Sequence, residues 1–309
     1  MARDLHPDMA ELVRMEGDWP PNLTLAEERV LWREFCLANN RPCPREIEVE
    51  NVAIGEPGLR VPVRIYRPKP DRPAPCFVYI HGGGWILGDL DTNDSVAWGF
   101  AEGTGATVVS VDYRLAPEHR YPAAFDDCYE VVTHLARHAS AFGIDAHRIA
   151  VGGDSAGGNL TAAVALALRD RGGPRIVAQA LIYPVLDTDI DRPSYIDNAD
   201  APLLTRAGMM HYLDDYLGTY RNDPPPYAMP LRAADLSNLP PAYVHTAEYD
   251  PLRDEGKVYA DRLATAGTRS EYRCAKGMVH SFMRARFQGE GARAEFDAIC
   301  TFLRRHLGT

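Results

Sequence analysis

From residue 76 onward, short runs of apolar, often β-branched positions alternate with longer stretches in which apolar residues return every third or fourth place. That alternation predicts crossover units on a mostly parallel sheet. The runs Cys76–Ile80, Thr107–Val111, Arg148–Val151, Ala178–Ile182, Ala242–Thr246 and Glu271–Cys274 read as strands. Residues 123–140, 156–170 and 254–266 read as helices between them. A last helix over 290–306 repeats Phe296, Ile299, Cys300 and Leu303 at i, i+3, i+4 and i+7, a face suited to packing on the sheet. Ahead of this series, Glu46–Val52 and Arg60–Tyr66 read as an antiparallel pair across the turn Gly55-Glu56-Pro57-Gly58, so the sheet is expected to be mixed at one edge.

Two stretches break the alternation. Residues 1–45 carry two helical patterns, and residues 185–230 run through Asp- and Pro-rich loops around Leu213, Tyr216 and Leu217 as far as Pro224-Pro225-Pro226. A structureless insertion of that length in a compact domain is commonly a lid over a site, although an ordinary surface excursion reads the same way. There is no internal repeat, and the Pro68–Pro75 linker is the single low-complexity tract.

With 309 residues the chain can bury a large core without staples. Its 33 Lys and Arg against 43 Asp and Glu give a net charge of −10, the wrong sign for a surface that tracks phosphates, so nucleic acid is excluded as a partner. Six scattered cysteines (Cys36, Cys43, Cys76, Cys128, Cys274 and Cys300) contain no C-x-x-C pair, which speaks against a zinc site and a disulfide framework and for a reducing cytoplasm. The segment Met1 to Asp8 has no apolar run of signal-peptide type, and no stretch approaches 18 uncharged apolar residues. The expectation is a cytoplasmic protein without membrane insertion.

Chemistry enters at Gly153-Asp154-Ser155-Ala156-Gly157, directly after the strand-like Ile149-Ala150-Val151 and before a helix. A serine held at such a strand-to-helix turn is strained and exposed, and glycine on both sides permits the tight turn. The helix N-terminus behind it favours the negative charge of acyl transfer. The five residues alone fit an incidental serine equally well; the rest of the chain decides. A nucleophilic serine needs a base, and of the ten histidines only His280 and His306 follow the last strands. His306, beside Arg304 and Arg305, reads as a surface residue, which leaves His280. The acid that orients the base is to be sought among Glu248, Asp250 and Asp254, and Asp250, ahead of Pro251 and before the helix, is favoured over the other two. Helix capping is the competing role for Asp250. His81-Gly82-Gly83-Gly84-Trp85 after a strand offers the backbone N–H groups of Gly83 and Gly84 to a developing oxyanion, with that of Ala156 as a third. A phosphate loop is disfavoured because no Lys-Ser/Thr follows. His81 reads as a loop brace, and the chemistry requires no metal or organic cofactor.

With these pieces placed, the sequence resembles the hormone-sensitive-lipase-like branch of the α/β-hydrolases, the bacterial family IV esterases. The resemblance rests on His81-Gly82-Gly83-Gly84-Trp85, on Asp112-Tyr113-Arg114-Leu115-Ala116-Pro117-Glu118 continuing to Tyr121-Pro122-Ala123-Ala124, on Gly153 to Asn159, and on Tyr249 to Gly256, and it spans residues 45–305. It implies an eight-stranded, mostly parallel sheet with helices on both faces, a core of residues 46–184 and 231–309, and a helical cap made from residues 1–45 and 185–230. It also implies Ser155, Asp250 and His280 as triad, Gly83, Gly84 and Ala156 as oxyanion hole, and hydrolysis of short- to medium-chain acyl esters through an acyl-enzyme. The same constellation could act on amides or carbamates, or pass the acyl group to an alcohol. Many relatives carry glycine after the histidine, where this chain has Ser281. Arg114 and Glu118 read as an ion pair or loop brace, and Met209 and Met210 as acyl-pocket lining or cap core. A homodimer is compatible with the family, but no interface strand or patch is identifiable.

Overall fold

Strand side chains alternate between two buried faces, and that alternation organises the molecule. The strands are β1 (Glu48–Ile54), β2 (Val61–Arg67), β3 (Ala74–Ile80), β4 (Thr107–Val111), β5 (Ile144–Asp154), β6 (Ala178–Ile182), β7 (Ala242–Tyr249) and β8 (Ser270–Val279). They form one sheet in the order β1-β2-β4-β3-β5-β6-β7-β8. β2 is antiparallel to both its neighbours, and every pairing from β4 to β8 is parallel, so the mixed edge is realised at β1 and β2. The computed structural model describes residues 3–17, 19–20, 22–68 and 73–309; part of the Pro68–Pro75 linker lies outside them.

Cys76, Val78 and Ile80 of β3 point into one apolar layer, and Phe77 and Tyr79 into the other. The first layer is covered by α4 (Ala123–Arg137) and α5 (Ala156–Asp170), with α8 (Arg253–Thr265) packed alongside α5. The opposite layer is covered by α3 (Asp94–Thr104) and α9 (Glu290–Leu307). Helix α3 has no counterpart in the sequence reading. Ser95 to Ala101 are all buried, so the apolar residues do not gather on one face and the helical period is absent. His306, expected at the surface, is half-buried: its ring packs on Phe302 and its Nδ1 lies 2.9 Å from the Phe302 carbonyl.

The N-terminal stretch forms α1 (Ala10–Glu16) and α2 (Leu25–Asn39). A reciprocal capping box between Thr24 and Glu27 starts α2. The 185–230 stretch, where the hydrophobic pattern shows no regular element, contains α6 (Pro193–Asp197), α7 (Arg206–Leu217) and short 3₁₀ turns, the helical content that the resemblance implies. Thr205 caps α7 by accepting the N–H of Gly208 at 3.0 Å. Met209, Leu213 and Tyr216 are buried on α7 while Met210 is exposed, so its apolar stripe is short and easily lost among loop-forming residues. All six cysteines are free. Among the described residues no helix is long and apolar enough to cross a membrane.

Candidate active site

Four turns at the C-terminal ends of β3, β5, β7 and β8 converge, the edge where open α/β sheets carry their ligands. Ser155 sits between β5 and α5 at φ 56 and ψ −118, a sparsely populated region that costs a non-glycine residue about 1–3 kcal/mol. Its own N–H donates to the Ile182 carbonyl at 2.9 Å, which fixes the turn against β6. The flanking glycines are sterically required. A Cβ on Gly153 would stand 2.3 Å from the Ile80 carbonyl oxygen, and one on Gly157 only 1.9 Å from the same atom.

His280 follows β8, and its Nε2 lies 3.0 Å from Ser155 Oγ. Its Nδ1 lies 2.8 Å from Asp250 Oδ2. A carboxylate only accepts, so the proton resides on Nδ1 and Nε2 is left to accept from the serine hydroxyl. All three side chains are buried. Asp250 Oδ1 accepts the Leu252 N–H at 2.9 Å, which holds the carboxylate in place; this local bond coexists with the contact to His280. Neither rival carboxylate is paired with the imidazole. Glu248 accepts the Gly277 N–H at 2.8 Å and pairs with Lys276, and Asp254 accepts the Ser194 N–H at 2.8 Å. Ser281 adopts φ 63, the left-handed conformation that explains why glycine suits this position.

The loop after β3 turns the backbone of Gly83 (φ 125) and Gly84 (φ 57) toward the serine cavity. Among the described residues, none of the N–H groups of Gly83, Gly84 and Ala156 donates to a protein acceptor. His81 is fully buried, stacks on Tyr113 at 4.4 Å between ring centres, and its Nδ1 lies 2.7 Å from the Gly82 carbonyl, so it braces the loop.

Asp154, the residue before Ser155 in the motif, carries no sequence signal for its role, yet it links the two turns of the site. Its Oδ1 accepts both the Tyr79 hydroxyl at 2.7 Å and the Gly82 N–H at 3.0 Å, joining the Ser155 turn to the glycine loop. Burial first, and the adjacent Asp154 second, push the phenols of Tyr79 and Tyr183 well above their ordinary range, so both stay protonated.

A cavity of about 20 Å³, room for roughly one water, lies against Ser155, His280, Gly83 and Gly84. Its outer walls, Trp32, Leu203, Leu204 and Tyr212, also line a chamber of about 240 Å³. Glu16 and Glu28 also line it; burial raises the Glu16 carboxyl above its ordinary value, against the opposing bond from the Leu203 N–H. Trp32 comes from α2 and Tyr212 from α7, and neither carries a local motif. Met209 and Met210 line neither space.

Arg29 of α2 ties the N-terminal segment to the glycine loop, donating to the Ile86 carbonyl at 2.9 Å and the Ala116 carbonyl at 3.0 Å, and to both oxygens of Glu118 at 2.7 and 2.8 Å. Arg114 bonds Asp127 instead of Glu118. Both residues are loop braces, but not to one another.

A family model described as alpha/beta hydrolase fold matches residues 77–284. The chain is 47% identical over 285 residues to carboxylesterase NlhH of Mycobacterium tuberculosis, covering 90% of this chain and 89% of that protein. It is 38% identical over 256 residues to an ethyl acetate hydrolase of Pseudomonas putida, covering 81% and 80%. The structure of a hyperthermophilic esterase from the archaeon Pyrobaculum calidifontis is similar at a TM-score of 0.91 and 37% identity, covering 97% of this chain and 98% of that one.

Proposed function

We propose, for a chain that belongs to the alpha/beta hydrolase family and to its hormone-sensitive-lipase-like branch, that it is a carboxylesterase in which Ser155, His280 and Asp250 form the catalytic triad. The observation that carries this reading is the unbroken contact series from Ser155 Oγ through His280 to Asp250 at 3.0 and 2.8 Å, beside three N–H groups with no protein acceptor. Ser155 Oγ attacks the ester carbonyl while His280 Nε2 takes its proton. The carbonyl oxygen becomes an oxyanion held by the N–H groups of Gly83, Gly84 and Ala156, each worth about 3 kcal/mol by comparison with donor deletions elsewhere. Collapse expels the alcohol, which receives the proton from His280, and leaves an acyl-enzyme. Water, deprotonated by the same nitrogen, then releases the carboxylic acid.

Residues 1–45 and 185–230 act as a cap over the core. This assignment is supported by the chamber, whose walls Trp19 and Trp32 come from the first segment and Leu203 and Leu204 from the second. Trp85 beside the glycine loop also stacks flat on Tyr216 of α7 at 4.2 Å. A chamber of 240 Å³ is below the usual range of about 300–1,000 Å³ for ligand pockets, in keeping with short- to medium-chain acyl esters.

The test is a p-nitrophenyl ester series of increasing chain length with wild type, Ser155→Ala and Asp250→Asn. Ser155→Ala is expected to lower kcat by on the order of 10⁶, and Asp250→Asn by about 10⁴, with the fold intact by circular dichroism. Substantial turnover by folded Ser155→Ala sinks the assignment.

A further inference from the structure

Four side chains outside the serine site converge where the turn between β1 and β2 meets the C-terminal end of α4. His134 lies in the last turn of α4 and His138 is the residue that caps its C-terminus, and Glu56 reaches them from the turn. One ligand-capable atom from each of these three residues falls within 4.8 Å of the others. The fourth side chain, Glu130, lies one turn before His134 and accepts the Glu56 N–H at 3.0 Å, pinning the turn to the helix.

The arrangement leaves one polar atom unexplained. His134 Nδ1 is buried and has no hydrogen-bond partner, although Glu130 Oε1 lies 3.7 Å away and Glu56 Oε1 3.8 Å away. Those separations are too long for hydrogen bonds. They do suit neighbouring ligands of a single ion, since tetrahedral bonds of about 2.0–2.1 Å set ligand atoms roughly 3.4 Å apart. The rings of His134 and His138 lie 4.4 Å apart between centres, side by side at the helix end, and two imidazoles with carboxylate oxygens form a donor set for zinc and its neighbours in the first transition row.

We propose that Glu56, His134 and His138 bind a divalent transition metal of the zinc class, with Glu130 available as the fourth ligand. The ion clamps the β1–β2 turn onto α4. Its competitor is Arg137, whose Nη1 lies 3.4 Å from Glu56 Oε1. Both members of that pair are more than half exposed, so the contact opposes the metal only weakly. The missing C-x-x-C pattern has no bearing on a site made of imidazole and carboxylate. β1 is the sheet edge, and β2, β4 and β3 separate it from β5, which leads to Ser155. The metal is therefore structural and has no part in ester hydrolysis.

The test uses full-length, tag-free protein stripped with EDTA and titrated with zinc chloride at pH 7.5, read by calorimetry and by thermal unfolding. We expect one zinc per chain and a Tm raised by about 4 °C at free zinc a hundredfold above Kd. His138→Ala and Glu56→Gln should each weaken binding at least tenfold while ester hydrolysis stays at the wild-type rate. Absence of saturable binding, or equal affinity in the wild type and both variants, overturns the site. Because the readouts are binding and Tm, the outcome is independent of whether the chain hydrolyses esters.

Discussion

The ring of Tyr212 presses so closely on Gly84 that a methyl group at Gly84 would stand 2.6 Å from it. The ring is not free to retreat, since the Tyr212 hydroxyl donates to Glu28 at 3.1 Å. Gly84→Ala must therefore both crowd Tyr212 and hold a side chain at φ 57. We expect kcat/KM to fall by about 10²–10³, the scale of losing an oxyanion donor. In Gly84→Ala/Tyr212→Ala the clash is gone and only backbone strain remains, so at least a tenfold recovery is expected in the same assay. A double variant no better than the single one would contradict the steric account.

Arg29 joins α2 to the carbonyl of Ile86, directly after the glycine loop, and to that of Ala116, whose own N–H donates to the Trp85 carbonyl at 3.0 Å. Charge-assisted bonds of this kind are worth about 1.5–3 kcal/mol each, and Arg29→Ala removes two together with the Glu118 pair. The N-terminal segment should then be cleaved at least tenfold faster in limited proteolysis, with the core resistant. Unchanged cleavage kinetics would mean that α2 is held chiefly by its apolar contacts.

Gly208 faces the outer chamber: a Cβ there would stand 3.3 Å from Thr205 Oγ1, so that side chain must give by a few tenths of an ångström, and Tyr212 Cε2 is in ordinary contact at 3.9 Å. Gly208→Phe should occupy much of the 240 Å³ without disturbing Ser155. Measured on p-nitrophenyl esters, kcat/KM for octanoate is expected to drop at least tenfold more than for acetate. An equal drop for both would place the acyl chain elsewhere.

Glu295 on α9 predicts how acid weakens the fold. Burial alone would raise its carboxyl, but bonds from Arg273 and His245 prevail and hold it at about 2, below its ordinary 4.5. As pH falls below 4.5 the unfolded chain takes up a proton that the folded chain refuses, so this stability is present above that pH and is lost on the way to 2. His245 acts in the same direction from about pH 6.5, because burial lowers its pKa despite the attraction of Glu295. Glu295 should account for about 1 kcal/mol of the loss in urea stability between pH 7 and pH 4. Glu295→Gln should lack that component, and an acid limb as steep as that of the wild type would rule it out.

Much of this architecture is legible in the sequence because strand and helix periods record which side of an element is buried. β3, β4 and β6 fall close to their expected limits for that reason. α3 is buried all round and therefore carries no period. β5 begins four residues earlier than expected because Ile144 pairs with Ala74 across an irregularity in the ladder. At the site, Ser155, Asp250 and His280 announce themselves by order along the chain, since each follows a strand whose end reaches the same edge. Trp32 and Tyr212 do not, because their place over the cavity depends on how α2 and α7 dock and not on their immediate neighbours.

Asp154 carries a consequence for catalysis. Its carboxylate grips the Gly82 N–H and the Tyr79 hydroxyl from the residue next to Ser155, so the spacing between the Ser155 hydroxyl and the glycine loop is set when the chain folds. In the proposed cycle, acylation and deacylation then meet dipoles that are already aligned. The reorganisation that water would have to perform at each turnover is completed once, during folding.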